Sequence, residues 1–268
     1  EEGAFTGLQV LVARHGKVIC NKWYGYTEQG KKRKKVDYNT IFDLASVSKA
    51  TGTISGIMKC YDDGKFQLDS KISEFVKPLK GTDKESITMR DLLYHETGIP
   101  ASLNMFEMMF DPNTYDGKLV TPRRRGANTI KISNGAYGHN RAKLRKDILS
   151  RTKTKKFNTP VARNLYVGSI TRDSIMQRIY DAPLRDNKRF LYSCLNFSLL
   201  MQAEESMTGI KHDEYVRDQV FAPLGAYRTG YCPQDWSDIS DIVTTENDTY
   251  LRREMVKGHV HDEMADFM

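Results

Sequence analysis

The sequence predicts a mixed α/β (α+β) domain, an antiparallel sheet flanked by helices with a helical subdomain. Three observations predict it. Two short β-type runs, Leu8–Arg14 and Lys17–Tyr24, are joined by His15-Gly16. A long stretch of helical period covers residues 46–63. Further helical patterns return at 171–180, 196–207 and 212–220.

The chain has 268 residues, 39% hydrophobic and 10% aromatic, which is enough to pack a core and argues against wholesale disorder. No run approaches the roughly 18 apolar residues that span a bilayer, so no membrane span is expected. The chain opens at Glu1 without a charged-then-apolar leader and reads as a mature or partial chain. Cys20, Cys60, Cys194 and Cys232 form no C-x-x-C pair and read as ordinary small hydrophobes, with disulfides unsupported. The net charge of +7 is clustered in Lys31–Lys35, in Arg123–Arg125, and in a stretch from Arg141 to Lys156. No aromatic ladder accompanies these runs, so they read as solvated loops and no nucleic-acid partner is expected.

Each element has a local cause. A two-residue loop ending in glycine between two β-type runs is a hairpin signal, because glycine accepts positive φ. Gly30–Lys35 is too charged for a sheet interior and reads as an exposed loop. In the 46–63 helix, Val47, Ala50, Ile54, Ile57, Met58 and Tyr61 keep three- and four-residue spacing, and Gly64 supplies the left-handed stop. Thr88–Tyr94 is a short helix, with Thr88 as N-cap and Asp91 three residues on. Residues 100–170 show weak periodicity and read as loops with short helices. Phe197, Leu199, Leu200, Ala203 and Met207 mark a further helix stopped by Gly209. Only the first two strands are legible.

Three motifs could carry chemistry. In Ser46-Val47-Ser48-Lys49, a serine and a lysine three apart on a helix face the same way, so the amine can reach the hydroxyl. A serine is a poor nucleophile until a neighbour takes its proton, and a lysine can do so where burial and nearby positive charge depress its pKa. The free N–H groups at a helix start would also steady an oxyanion. The bland alternative is that Ser46 is an N-cap and Lys49 is solvated. The second motif is Tyr192-Ser193-Cys194, where a tyrosine at a loop-to-helix junction can enter a cleft and relay protons. The alternative is a half-buried tyrosine with one hydrogen bond. In the third, His259 and His261 share a face if the segment is a strand and could meet one metal ion. Solvated or locally bonded histidines are the favoured reading, and no metal is expected.

Taken in order, these segments resemble the serine β-lactamase, penicillin-binding protein and esterase superfamily, in its class C β-lactamase-like branch. Asp43–Lys49 resembles the nucleophile segment, and Gly64–Asp69 the "GKL-LD" stretch after it. Ile87–Pro100 is similar to "ITIRDLLTHTSGLP", Phe190–Leu200 to the "YSN" segment and its helix, and Phe221–Gly225 to "F-PLGM". Glu246–Thr249 and Val260–Asp262 resemble a branch found in bacterial envelope proteins, some of them fused to glycosidases.

The resemblance implies a β-lactamase/transpeptidase-like fold and an acyl-enzyme mechanism without a cofactor. Ser46 attacks a carbonyl carbon, Lys49 and Tyr192 share proton removal and delivery, and the Ser46 N–H is one oxyanion donor. Ser193 and Cys194 are placed as substrate-binding residues. Cys194 stands where the family usually has Asn and is a weak hydrogen-bonder, which favours esters over β-lactams or peptides. The family's K-T-G or H-T-G motif is absent downstream of Tyr192, so the domain reads as incomplete beyond Met268. The expected organisation is one domain over 1–268, with sheet parts at 1–45 and 210–268 and a helical, cleft-roofing part at about 60–209. The expected substrate is a small-molecule or peptide acyl compound derived from the cell wall, in the periplasm or another extracytoplasmic envelope compartment, with a glycosidase domain as fusion partner. The alternative is a binding or regulatory module on the same fold that has lost turnover.

Overall fold

Two consecutive left-handed residues, His15 (φ 48°) and Gly16 (φ 73°), make the first turn. A turn with both central residues at positive φ twists in the same sense as the strands it joins. It therefore closes β1 (Gly7–Arg14) on β2 (Lys17–Gly25) with Arg14 opposite Lys17. The computed structural model describes residues 5–31, 33–124, 126–133, 135–169 and 171–267. Lys32 and Arg125, members of two of the basic runs, lie outside the described residues.

Along the chain, the hairpin is followed by a π-helical stretch, Lys49–Ile54, that runs directly into α1 (Ser55–Asp62). Then come α2 (Ile72–Phe75), α3 (Met89–Leu93) and α4 (Met105–Met108). Six strands follow: β3 (Val120–Thr121), β4 (Thr129–Ser133), β5 (Ala136–His139), β6 (Leu149–Ser150), β7 (Phe157–Ala162) and β8 (Leu165–Gly168). Next are α5 (Thr171–Asp181), α6 (Cys194–Thr208), and α7 (His212–Val216), which a second π-helical stretch, Arg217–Phe221, continues. β9 (Glu246–Asp248), β10 (Glu254–Val256) and α8 (Glu263–Asp266) complete the described chain.

The chain divides into two units. The first contains residues 1–43, 105–171 and 232–268, and the second residues 44–104 and 172–231. Residues 105–171 thus group with the terminal segments. They are also not mainly helix and loop. They build two three-stranded antiparallel sheets, ordered β3-β5-β4 and β6-β8-β7. The physical reason is length: strands of two to six residues, interrupted by register shifts, give the period-2 alternation too few repeats to show. β9 and β10 form a separate antiparallel pair.

Arg252 is the hub of the first unit. Its side chain is fully buried and its guanidinium donates to Val161 O at 3.2 Å, Val260 O at 2.8 Å, Glu246 Oε1 at 3.0 Å and Asp266 Oδ2 at 3.3 Å. Asp266 also takes His259 Nδ1 at 3.1 Å, which commits that ring to α8. Among the described residues no group of three His, Cys, Asp or Glu side chains is placed to hold a metal, so the H-x-H pair finds no third ligand. Arg151, read from the sequence as one of a solvated run, instead donates to the carbonyls of Leu251 and Arg252. Among the described residues no disulfide joins Cys20, Cys60, Cys194 or Cys232.

In the second unit α6 is the central rod. Leu195, Phe197, Leu199, Leu200 and Ala203 are buried along it, and it packs against α1, α2, α3 and α7. Each such leucine or phenylalanine side chain contributes roughly 1.5–3 kcal/mol by leaving water. Gly209 (φ 69°) ends α6 and Gly64 (φ 69°) ends α1, both in the left-handed conformation their positions predict. The N-terminus of α3 carries a reciprocal box: Thr88 Oγ1 accepts from Asp91 N at 3.1 Å, and Asp91 Oδ2 accepts from Thr88 N at 2.9 Å. Gly52 and Gly56 sit inside the helix that follows Ser46. A glycine there costs about 1 kcal/mol relative to alanine, so close packing rather than helix propensity accounts for both.

Candidate active site

The second unit brings Ser46, Lys49, Tyr192 and Cys194 together. Ser46 is delivered by a strained turn. Ala45 just before it is left-handed (φ 44°), a conformation that costs a residue with a Cβ about 1–2 kcal/mol. Three short backbone bonds then start the helix: Val47 N to Leu44 O at 2.9 Å, Ser48 N to Ala45 O at 3.0 Å and Lys49 N to Ser46 O at 3.2 Å. Ser46 is exposed on that first turn, and its own N–H precedes the first of these bonds.

Lys49 is half-buried and turns back toward the serine. Its Nζ donates to Ser46 Oγ at 3.1 Å. It also lies 5.2 Å from the centre of the Tyr192 ring and 5.9 Å from that of Phe197. Burial works to lower the pKa of this amine. Hydrogen bonding to Tyr192, with the charge that Tyr192 and Cys194 can carry, outweighs burial and holds it above the ordinary lysine value. The sequence reading expected depression toward neutrality. The reversal has a plain cause: the groups facing the amine are potential anions, not other cations.

Tyr192 is held by the loop that follows α3. His95 adopts φ 57° and packs at a tilt against the Tyr192 ring, with centroids 4.9 Å apart, while it stacks on Phe197 at 5.3 Å. Its Nδ1 accepts from Ser193 N at 3.1 Å and faces Asn196 Nδ2 at 3.3 Å, which places the ring proton on Nε2. Burial, with the Lys49 charge second, holds His95 below the usual histidine range, so the ring is neutral. Asn196 Oδ1 in turn accepts from Thr97 Oγ1 at 3.0 Å, and Cys194 N donates to Ala101 O at 2.9 Å. The tyrosine is therefore carried on a segment bonded along its length to residues 95–101.

Ser193 does not open to solvent. It is fully buried, and its hydroxyl donates to Pro100 O at 2.6 Å. It is placed as a strut under Tyr192 rather than as the substrate ligand the sequence suggested, because that one bond uses its only donor. Cys194 is half-buried at the first residue of α6, with its sulfur toward Lys49. Sequence reasoning missed His95, Thr97 and Asn196. His95 and Thr97 lie inside the Ile87–Pro100 landmark and Asn196 two residues past Cys194, but no spacing within either segment announces that they meet.

Comparison with known proteins gives one coherent picture. The model of the Beta-lactamase family matches residues 1–235. An N-acetylmuramyl-L-alanine amidase of Bacillus subtilis (strain 168) is 22% identical over 97% of this chain and 53% of its own length. Among solved structures, EstCE1, a hydrolase with promiscuous acyltransferase activity, superposes with a TM-score of 0.54 at 21% identity, over 84% of this chain and 48% of that one. A β-lactamase/D-alanine carboxypeptidase from Yersinia pestis gives a TM-score of 0.50 at 18% identity, over 94% of this chain and 53% of that one. The chain thus spans about half the length of these relatives.

Proposed function

We propose, from the premise that this chain belongs to the Beta-lactamase family, that it is a serine acyl hydrolase with Ser46 as nucleophile. The observation that carries the reading is the 3.1 Å contact between Lys49 Nζ and Ser46 Oγ beside the Tyr192 ring. Ser46 Oγ attacks a carbonyl carbon, the Lys49–Tyr192 pair accepts the proton it loses, and the same pair returns that proton to the leaving group. Water then releases the acyl group by the reverse use of the pair. Because Lys49 is held as a cation, the pair becomes a proton acceptor only when one proton is missing from it, a state that gains population as pH rises. The Ser46 N–H on its helical turn is one donor for the oxyanion.

The substrate class that fits is an ester, peptide or β-lactam carbonyl of a cell-wall-derived compound in an extracytoplasmic envelope compartment. The name of the Bacillus relative, a muramyl-L-alanine amidase, supports the cell-wall part of this reading. Cys194, a weak hydrogen-bonder beside Lys49, favours an ester carbonyl over an amide.

A fluorophosphonate probe and a fluorescent penicillin test it. The fluorophosphonate is expected to label the protein once, at Ser46, with labelling lost in Ser46→Ala. An unlabelled parent, or a Ser46→Ala variant labelled as fast as the parent, overturns the reading. An unlabelled parent that still binds a muramyl peptide is the signature of a module that has lost turnover.

A further inference from the structure

The second unit buries a chain of polar groups that acyl transfer itself does not use. Glu204, on α6, has no exposed surface. Its Oε1 lies 2.8 Å from His212 Nδ1, and Nε2 of the same ring lies 2.9 Å from the Tyr231 hydroxyl. That hydroxyl is hydrogen-bonded to Thr53, which is buried in the π-helical stretch one turn past Lys49. Glu204, His212, Tyr231 and Thr53 thus form one continuous hydrogen-bonded chain, closed by the Thr53 O–H donating to the Tyr231 oxygen. The second oxygen of Glu204 is buried with no hydrogen-bond partner.

The helix behind Ser46 is cut back to admit these groups. A Cβ on Gly52 would fall 2.2 Å from the Tyr231 hydroxyl, and one on Gly56 would fall 2.1 Å from Glu204 Oε2. Both glycines therefore leave bare backbone for polar ends to press upon, Gly52 inside the π-helical stretch and Gly56 in the first turn of α1 that continues it. Burial pushes the Glu204 carboxyl above the usual range, so keeping it charged works against stability. A buried ionisable group kept in spite of that is a common mark of a functional role. The other titratable groups facing the cluster are Glu205 on α6, tied to Arg172, Asp213 and Tyr215 on α7, and Cys60 on α1, whose sulfur lies 3.6 Å from the Tyr215 hydroxyl. Asp63, at the end of α1, acts on Tyr215 and Cys60 from further off.

We propose that Glu204, His212 and Tyr231 are positioning residues that lock the π-helical register of residues 49–54 and thereby hold Lys49 against Ser46. Lys49 opens that stretch. A slip of the stretch to α register turns each residue by up to about 100° and carries the amine away from the hydroxyl. The rate effect of this lock rests on the acyl-hydrolase reading; the lock itself does not.

The test uses the whole chain, with Tyr231→Phe and Glu204→Gln as separate variants. Both keep side-chain volume, and the second serves where the first fails to fold. Each is measured for fluorophosphonate labelling rate across pH, for hydrogen exchange of the 49–57 amides, and for thermal midpoint. Labelling is expected to slow by about tenfold or more, with faster exchange confined to 49–57. A raised folded-state pKa gives stability that is present at acid pH and lost as pH rises through that pKa, so Glu204→Gln is expected to be at least as stable as the parent near neutrality. Loss of rate without loss of stability is what a merely structural residue does not produce. Unchanged labelling, or slower labelling with unchanged exchange, overturns the inference. If the parent itself is unlabelled, the hydrolase reading fails alone: faster exchange at 49–57 in both variants then supports the lock, and unchanged exchange overturns it.

Discussion

The imidazole Nδ1 of His95 accepts the backbone hydrogen of Ser193 at 3.1 Å, and this bond holds the segment that presents Tyr192. His95→Ala leaves that buried N–H without an acceptor, at a cost of about 1–3 kcal/mol. The variant is also expected to slow Ser46 labelling, because Tyr192 loses the ring packed against it. The pH dependence gives a second handle. The folded His95 is held below its ordinary value of 6.5. Its contribution to stability is therefore full above the unfolded value and is lost as pH falls through the lower folded one. Urea midpoints of parent and variant, compared at neutral and mildly acidic pH, are expected to converge on acidification. A gap that widens instead contradicts a neutral His95.

Lys49 shifts the opposite way. Its folded pKa lies above 10.5, so its contribution to stability is complete below the unfolded value and disappears as pH rises through the folded one. Near neutrality the amine is charged. The labelling rate of Ser46 is therefore expected to keep climbing into the alkaline range, and Lys49→Ala to reduce it by roughly 10²–10⁴-fold. A rate that levels off just above pH 7 would mean that the amine loses its proton there, against the geometry.

Arg252 offers a test confined to the first unit. Its buried guanidinium joins Glu246, Asp266 and the carbonyls of Val161 and Val260. Removing one partner from a buried charge network costs about 3–5 kcal/mol. Arg252→Ala is expected to lower the denaturant midpoint by that order, and Arg252→Lys to recover little, since an ammonium cannot reproduce the planar fork. Full recovery by lysine would show that charge rather than geometry holds β9, β10 and α8.

Much of this protein is legible in local chemistry. The His15-Gly16 turn, the Thr88–Asp91 capping box and the glycine stops at Gly64 and Gly209 form where the chain places them, because each depends on residues within one turn of the backbone. The strands between residues 120 and 168 escape the same reasoning. Val120–Thr121 and Leu149–Ser150 are two residues each, and a strand of two has no period.

The site divides the same way. That Ser46 and Lys49 share a helix face follows from their spacing. Their spacing does not tell that the amine is half-buried, that its neighbours are a phenol and a thiol, or that its pKa therefore rises. Nor does any pattern show that His95 meets Ser193, or that Glu204 and His212 lie against Gly56 and Tyr231. The sequence by itself determined turns, caps, helix periods and the serine–lysine spacing, since these are settled by bonds and sterics among near neighbours. Only the tertiary structure decided which distant groups face them. Desolvation and hydrogen bonding act on whatever packing brings together, and packing is a property of the whole chain.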